Sequence, residues 1–299
     1  MEVEPELDDR PTRGEGRRRG PSSYPTTSAR WWRSAGALFV LVVFLPPLLL
    51  LVVGSLHEPG QPPPPTPQLR PDPLSVDGYS QAMDLGGLLR ATVNSLVVAA
   101  ITVPVSVVVA SLAGFALTQV SRRVRIGIIA AALVALMVPA TALLVPRFAV
   151  FRTLGLTDTL APLIAPALIG VSPLYPLIYY LSFRFLPRNL YDACAIEDLS
   201  PLQTWWRVAL PLVRPVTAAV AALTFVLTWS NFLDPLIYVY SRDLFTVPLA
   251  LRSLATLDPT NFPVFLAGAV LATVPAIVVF GFAQRRFLHS YELKGWIRE

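Results

Sequence analysis

The side chains that could do chemistry are few and far apart. Of 299 residues only one is cysteine, Cys194, and two are histidine, His57 and His289. A single cysteine excludes an intrachain disulfide or a cysteine-based metal cluster, and no HExxH pair occurs. The lone lysine, Lys294, has no GxxxxG before it, so the chain lacks a phosphate-cradling loop. Any ATP must then be bound by another polypeptide, and neither a cofactor nor a metal is expected here. No Ser/His/Asp triad or paired-carboxylate site emerges, which argues against an enzyme. Among apolar runs, Asp234 is the acid closest to a membrane span. Ionisable groups there are costly and point to a transport pathway or a partner, unless the helix simply ends and the carboxylate reaches interfacial water. Ser230 and Asn231 beside it could line a pore or only bond to backbone carbonyls. Tyr175 and Tyr179, with Tyr180, could stack on a sugar ring, although an aromatic belt explains them equally. Asn94 and Ser95 fit helix–helix adhesion.

A second concentration of polar residues, 186–215, carries charges of both signs and cannot cross a bilayer. A loop this long inside a compact membrane protein is expected to be functional. Ser200-Pro201-Leu202-Gln203 combines an N-cap serine, a proline at the first helical position and a glutamine three residues on, the pattern of a capping box. Leu202, Trp205, Trp206 and Ala209 then recur at helical spacing up to Pro211. Upstream, Leu190, Ala193, Cys194 and Glu197 share another helical face. The loop reads as two short helices with a bend near 198–200, either a docking surface or an amphipathic pair lying at the lipid interface.

The elements that must carry these residues follow from composition. The chain is 54% hydrophobic and 14% charged, with mean hydropathy +0.57. Soluble domains carry about 25% charged residues, so a bilayer is the expected solvent. The net charge of +5 comes from arginines at the edges of apolar runs, as membrane orientation requires, and nucleic-acid binding is not expected. An Arg/Pro-rich tail, 1–34, is read as disordered and cytoplasmic. The first span is 35–56, kinked or shortened by Pro46-Pro47. A Pro-rich extracytoplasmic segment, 57–87, follows, extended over its prolines and with a short interfacial helix over 75–83. A core, 88–285, contains five further spans at 91–121, 126–146, 159–183, 215–240 and 259–284, and 286–299 form a C-terminal tail. The fifth is the least regular because of Asn231 and Asp234. Six spans put both termini on one side together with Arg122, Arg123, Arg125 and the loop, which makes that side cytoplasmic.

At this loop the sequence resembles the permease subunits of ATP-binding-cassette importers, which share a cytoplasmic pattern, roughly EAAxxDGAS with LP about ten residues on. Here it reads Asp192-Ala193-Cys194, then Ile196-Glu197-Asp198-Leu199-Ser200, then Leu210-Pro211. Asn94-Ser95-Leu96, Gly155-Leu156-Thr157-Asp158-Thr159, the stretch from Trp229 to Leu236, Phe245-Thr246-Val247-Pro248-Leu249 and Lys294-Gly295 are similar to segments of the carbohydrate-type, MalG-like branch. The likeness covers about residues 74 to 295. Departures are an aspartate first acid, Cys194 for an alanine, Glu197 for aspartate, and Asp198 for a glycine. If that glycine adopts a left-handed conformation, aspartate tolerates it at a cost of about 1 kcal/mol.

The resemblance implies an all-α membrane fold with six transmembrane helices, of the type I importer kind, with a cytoplasmic two-helix coupling loop. It implies a pore-forming subunit that moves a sugar or oligosaccharide by alternating access. Implied partners are a second homologous permease, a cytoplasmic ATPase dimer that holds ATP and Mg, an extracytoplasmic solute-binding protein and the lipid bilayer. The ATPase-docking residues it implies are Asp192, Ala193, Cys194, Ile196, Glu197, Asp198, Ser200, Trp205, Leu210 and Pro211. Glycerol-phosphate-like solutes, amino acids or peptides are the alternative cargo. A self-contained ion-coupled carrier or membrane enzyme is the alternative class.

Overall fold

A computed structural model describes residues 27–66, 69–70 and 73–292. The expected tail up to residue 26 and the last seven residues of the C-terminal tail lie outside that range. The chain divides into two units, Met1–Leu48 and Leu49–Glu299. In the first, α1 (Thr27–Gly54) starts inside the stretch read as a tail and runs through Pro46 and Pro47 without interruption. From Leu38 to Leu45 its apolar side chains are exposed on all sides, a pattern suited to lipid or to another polypeptide.

In the second unit every regular element among the described residues is helical. A short α2 (Asp77–Leu85) precedes α3 (Leu88–Gln119), whose 32 residues extend about 48 Å at 1.5 Å per residue, more than a bilayer core. After it come α4 (Arg122–Met137) and α5 (Leu144–Thr153), separated by a 3₁₀ turn, Ala140–Leu143. The expected single span over 126–146 is therefore corrected. It is two helices meeting at 89°, because Val138, ahead of Pro139, is extended and the proline ring excludes the helical conformation there.

The fourth run is likewise interrupted. After α6 (Ala161–Ile164) and a 3₁₀ turn, Ala165–Ile169, Gly170 and Val171 both take positive φ before α7 (Leu174–Arg184) begins. The loop supplies α8 (Arg188–Ile196), α9 (Pro201–Gln203), a π-helical turn, Thr204–Ala209, and α10 (Leu210–Leu212). The fifth run breaks where its polar residues predict. First comes α11 (Arg214–Trp229), then α12 (Leu233–Tyr238). An apolar α13 (Val247–Leu257), too short to span alone and not foreseen, leads to the long α14 (Phe262–Glu292). Among the described residues three helices are long and apolar enough to cross a membrane, or up to five if each bent pair is one span.

Lipid tails are as apolar as leucine, so helices here must be held by close contact and polar bonds rather than by exclusion of water. The central member is α3. Its first half packs with α2, α11, α13 and α14 through Leu88, Ala91, Phe225, Trp229 and Leu254. Trp229 Nε1 also donates to Ala272 O at 3.0 Å, tying α11 to α14. Its second half lies against α7 at Gly114, where a Cβ would stand 2.5–2.8 Å from Tyr179 Cβ, Pro176 O and Tyr180 N. The Pro-rich segment is anchored rather than free. Gly60 N–H donates to Asn261 Oδ1 at 2.9 Å, Phe262 N–H donates to Gln61 O at 3.1 Å, and His57 bridges to Leu74.

Candidate functional site

Two constellations carry the residues singled out in the sequence. The first is the 186–215 loop. Pro187 ends the preceding turn in extended backbone, and α8 starts at once. Leu190 and Tyr191 are half-buried and Cys194 is buried, whereas Asp192, Ala193, Ile196 and Glu197 face outward. Ala193 and Glu197 therefore do not share the buried face of Leu190 and Cys194. Tyr191 Oη donates to Phe183 O at 3.1 Å, fastening α8 beneath α7, and burial followed by the neighbouring Cys194 pushes its phenol pKa up.

The end of α8 has a specific chemistry. Leu199 N–H donates to Cys194 O and Asp198 N–H to Ala195 O, the paired bonds of a Schellman ending. Asp198 occupies its left-handed position with φ +52. Two residues on, Gln203 N–H donates to Ser200 Oγ at 3.3 Å and Ser200 N–H to Gln203 Oε1 at 2.9 Å. This is the capping box that the local sequence encodes.

Beyond it the widened π turn redistributes the expected face. Thr204, Trp205 and Ala209 turn inward, and Leu202 and Trp206 turn outward. A regular 3.6-residue period would have kept all four predicted residues together, and the extra residue in the turn separates them. Leu210 and Pro211 are half-buried, and Ser200 is exposed. Trp205 sits in a cluster with Ala110, Phe115, Tyr175, Tyr179 and Phe183. Within it Tyr179 stacks on Phe183 at 5.8 Å, and Phe115 meets Phe183 edge-on at 5.6 Å. Tyr175 and Tyr179, expected along a solute path, are thus fully enclosed in the support beneath the loop. Outside stands an apolar face with Ile196 83%, Leu202 62% and Trp206 59% exposed, flanked by Asp192, Glu197 and Asp198.

The second constellation surrounds Asp234, at the start of α12. Asn231 Nδ2 donates to Asp234 Oδ2 at 2.9 Å, while Asp234 N–H donates to Asn231 Oδ1 at 3.2 Å, so the amide satisfies a backbone donor freed by the break. Arg147, from α5, approaches Asp234 Oδ1 at 3.4 Å and lies over the Tyr238 ring at 5.7 Å. Ser95, Thr228, Asn231, Asp234 and Thr246 border a cavity of about 70 Å³. Ser230, expected beside them, donates instead to Val226 O at 2.8 Å.

The frame of this site is pinned by α3. Asn94 Nδ2 donates to Asp243 O at 2.8 Å and Phe245 O at 3.0 Å, and Val247 N–H donates to Ser95 Oγ at 2.9 Å. These two residues hold the start of α13 rather than a second long helix. Asp158, with φ +57, closes the far side. Its carboxylate accepts from Tyr240 N–H at 2.9 Å and from the N–H and hydroxyl of Ser241. Those bonds, the Ser241 hydroxyl foremost, hold its pKa below the usual carboxylate value. Sequence reasoning missed Arg147, Asp158 and Gly114. The first two find partners more than eighty residues away, which no local pattern encodes. Among the described residues no cluster of three or more metal-ligating side chains occurs.

These features define a helical membrane protein with a broken-helix core. The fold is similar to the crystal structure of a bacterial ABC transporter involved in the import of the acidic polysaccharide alginate (TM-score 0.70, 19% identity, covering 88% of this chain and 99% of that one). It is also similar, with TM-score 0.52 and 17% identity, to a chain of the MetNI methionine ABC transporter. No family model matches the chain.

Similarity to curated sequences is closer. The arabinooligosaccharides transport system permease protein AraQ of Halalkalibacterium halodurans is 31% identical, over 75% of this chain and 80% of its own length. The lactose transport system permease protein LacG of Rhizobium radiobacter is 31% identical over 66% of this chain and 71% of its own length. For the trehalose transport system permease protein SugB of Mycobacterium tuberculosis the identity is 30%, over 74% and 81%. The chain belongs to the family of carbohydrate transport system permeases of ABC importers, and is a transport subunit rather than an enzyme.

Proposed function

We propose that this chain is one of two homologous permeases that together form the pore of a sugar or oligosaccharide importer, powered by a cytoplasmic ATPase dimer. Three relatives take their names from saccharide transport systems, which supports a saccharide cargo. ATP and Mg reside on the ATPase, and a solute-binding protein delivers cargo from outside. Six spans, the five obtained by counting each bent pair as one together with α1, leave both termini in the cytoplasm. The core permease, 88–285, is the translocating body, preceded by the first span and the Pro-rich outer segment.

The observation that carries this reading is the loop's divided face. Buried Cys194, Trp205 and Ala209 fix it to the bundle, while Ala193, Ile196, Leu202 and Trp206 stand exposed among acids. Apolar anchors of this kind fill a pocket on a partner, and flanking charges steer the approach. The assignment covers Asp192, Ala193, Ile196, Glu197, Asp198 and Ser200 at the contact. Cys194, Trp205, Leu210 and Pro211 hold the contact in place. An interfacial pair in lipid would not need opposed acids on its exposed side.

Replacing Ala193 with arginine tests the reading, because it forces an unpaired charge into a tight contact. The expected result is a folded permease pair that no longer co-purifies with its ATPase. Normal ATPase retention and uptake by Ala193→Arg would show that the partner docks elsewhere.

A further inference from the structure

At the end of the bundle that carries the 186–215 loop, positive charge gathers without a counter-charge. Along α3, Ala110 faces Gly170, Gly114 faces Tyr179 and Phe115 faces Phe183, so α3 and α7 run in the same direction and end together. After only Val120 and Ser121, α4 starts from that same end. There the guanidinium of Arg125 lies over the Tyr180 ring at 5.9 Å, joining α4 to α7. One turn nearer the end on each helix stand Arg122 and Arg184, both exposed, with an exposed Arg123 beside the first. Among the described residues none of these four arginines pairs with a carboxylate.

Orienting the chain in a membrane requires only that these cations lie on one side; their convergence on one seam needs a further reason. Arginines in the first turn of α4 add to the positive end of the helix dipole instead of offsetting it. Like charges on neighbouring helices repel, so the cluster favours an anion able to meet more than one guanidinium. A phosphate does so, because each guanidinium fork matches two of its oxygens. The surroundings select which phosphate. Ile126 and Ile128 on α4, Leu181 on α7 and Phe185 just beyond it are exposed, so apolar surface begins where the charges stop. A small anion leaves that surface uncovered, whereas a phospholipid lays its acyl chains along it. A zwitterionic headgroup would bring its own cation to the cluster, which favours a net-anionic one. We propose that Arg122, Arg123 and Arg184 form a site for the headgroup of an anionic phospholipid, with Arg125 clamping α4 to α7 above it. The site rests on the membrane fold alone and is independent of the cargo.

The test uses the purified complex of both permeases and ATPase in detergent, offered equal amounts of dioleoylphosphatidylglycerol and dioleoylphosphatidylcholine. Retained lipid is counted by native mass spectrometry. Wild type is expected to retain phosphatidylglycerol in preference. Arg122→Gln and Arg184→Gln are each expected to lower that preference about fivefold. Arg242→Gln, which removes an exposed arginine at the opposite end, should leave it unchanged. Arg122→Lys combined with Arg184→Lys keeps the charge and is expected to lose no more than about twofold. The two glutamine variants lie on different helices, so either decides the matter if the other fails to assemble. Equal retention of both lipids by wild type, or an unchanged preference in the glutamine variants, would overturn the site. Release of the lipid by excess inorganic phosphate would also overturn it, in favour of a small-anion site. Loss of the ATPase from Arg184→Gln with lipid retention intact would assign the patch to a protein contact instead.

Discussion

Gly114→Ala tests the seam on which the loop depends. The added methyl would sit 2.5 Å from Tyr179 Cβ, 2.7 Å from Pro176 O and 2.8 Å from Tyr180 N. Two of those atoms are backbone, so no change of rotamer relieves the overlap. Helices α3 and α7 must part by roughly 0.6–0.9 Å to reach ordinary contact, an overpacking that costs about 1–3 kcal/mol. Separation also loosens the Phe115–Phe183 edge contact and the rings under Trp205, which lose dispersion as the gap opens. A net loss of about 2–3 kcal/mol is expected, which for a chain of this size lowers Tm by about 3–5 °C. The assay is thermal unfolding of the purified complex in detergent, followed by tryptophan fluorescence. Gly127→Ala and Gly281→Ala are the controls. Both glycines lie within helices where a Cβ meets nothing within 4 Å, so alanine should be neutral or stabilising by up to about 1 kcal/mol. If Gly114→Ala melts with the wild type while the controls behave as stated, α3 and α7 are not in close contact at this point and the reasoning fails.

Two further predictions concern strained aspartates. Asp198→Gly relieves the left-handed backbone at φ +52, worth about 1 kcal/mol and partly offset by the freedom of glycine in the unfolded chain. Stability should stay within about 1 kcal/mol of wild type with the ATPase still bound; loss of the ATPase would instead assign the Asp198 carboxylate a direct contact with it. Asp158 has a lowered pKa in the folded chain, so its contribution is complete above the unfolded value near 3.8 and disappears as pH falls through the lower folded value. Thermal midpoints measured from pH 6 down to pH 3 should fall more steeply for wild type than for Asp158→Asn, and parallel curves would remove Asp158 from the acid response.

Local codes were legible and distant ones were not. Ser200 and Gln203 announce their capping box because both partners lie within four residues. The left-handed backbone at Asp198, φ +52, was expected only by way of the glycine that the resembling family carries there. Apolar runs located most of the bundle, but hydropathy reads composition and is blind to hydrogen bonding. It therefore merged α4 with α5 across Val138-Pro139, where both sides of the break are apolar. The 11 residues of α13 were too few to register as a span. The face assigned to Trp205, Trp206 and Ala209 presumed a 3.6-residue period, and the π turn does not keep it. Tyr175 and Tyr179 looked like sugar platforms since a tyrosine in a span carries the same letter whether it lines a path or fills a core.

The pairing of Arg147 with Asp234 explains why the broken runs lie where they do. A charge within apolar surroundings needs a counter-charge, and a guanidinium needs more acceptors than one carboxylate contact supplies. A continuous helix leaves no spare backbone groups for this purpose, whereas a break frees several. Asp234 stands at the first turn of α12, immediately after such a break, with Asn231 taking up its backbone donor. Arg147 stands in the first turn of α5, after the other break. Each charge thus enters the bundle on a short helix whose direction is not dictated by the span before it, and the two short helices bring the charges together. The long, uninterrupted α3 supplies the opposite quality, a straight support from which Asn94 and Ser95 grip the chain leading into α13. The rigid α3 and the short, jointed α12 therefore meet at the polar cavity, through Ser95 on one and Asp234 on the other.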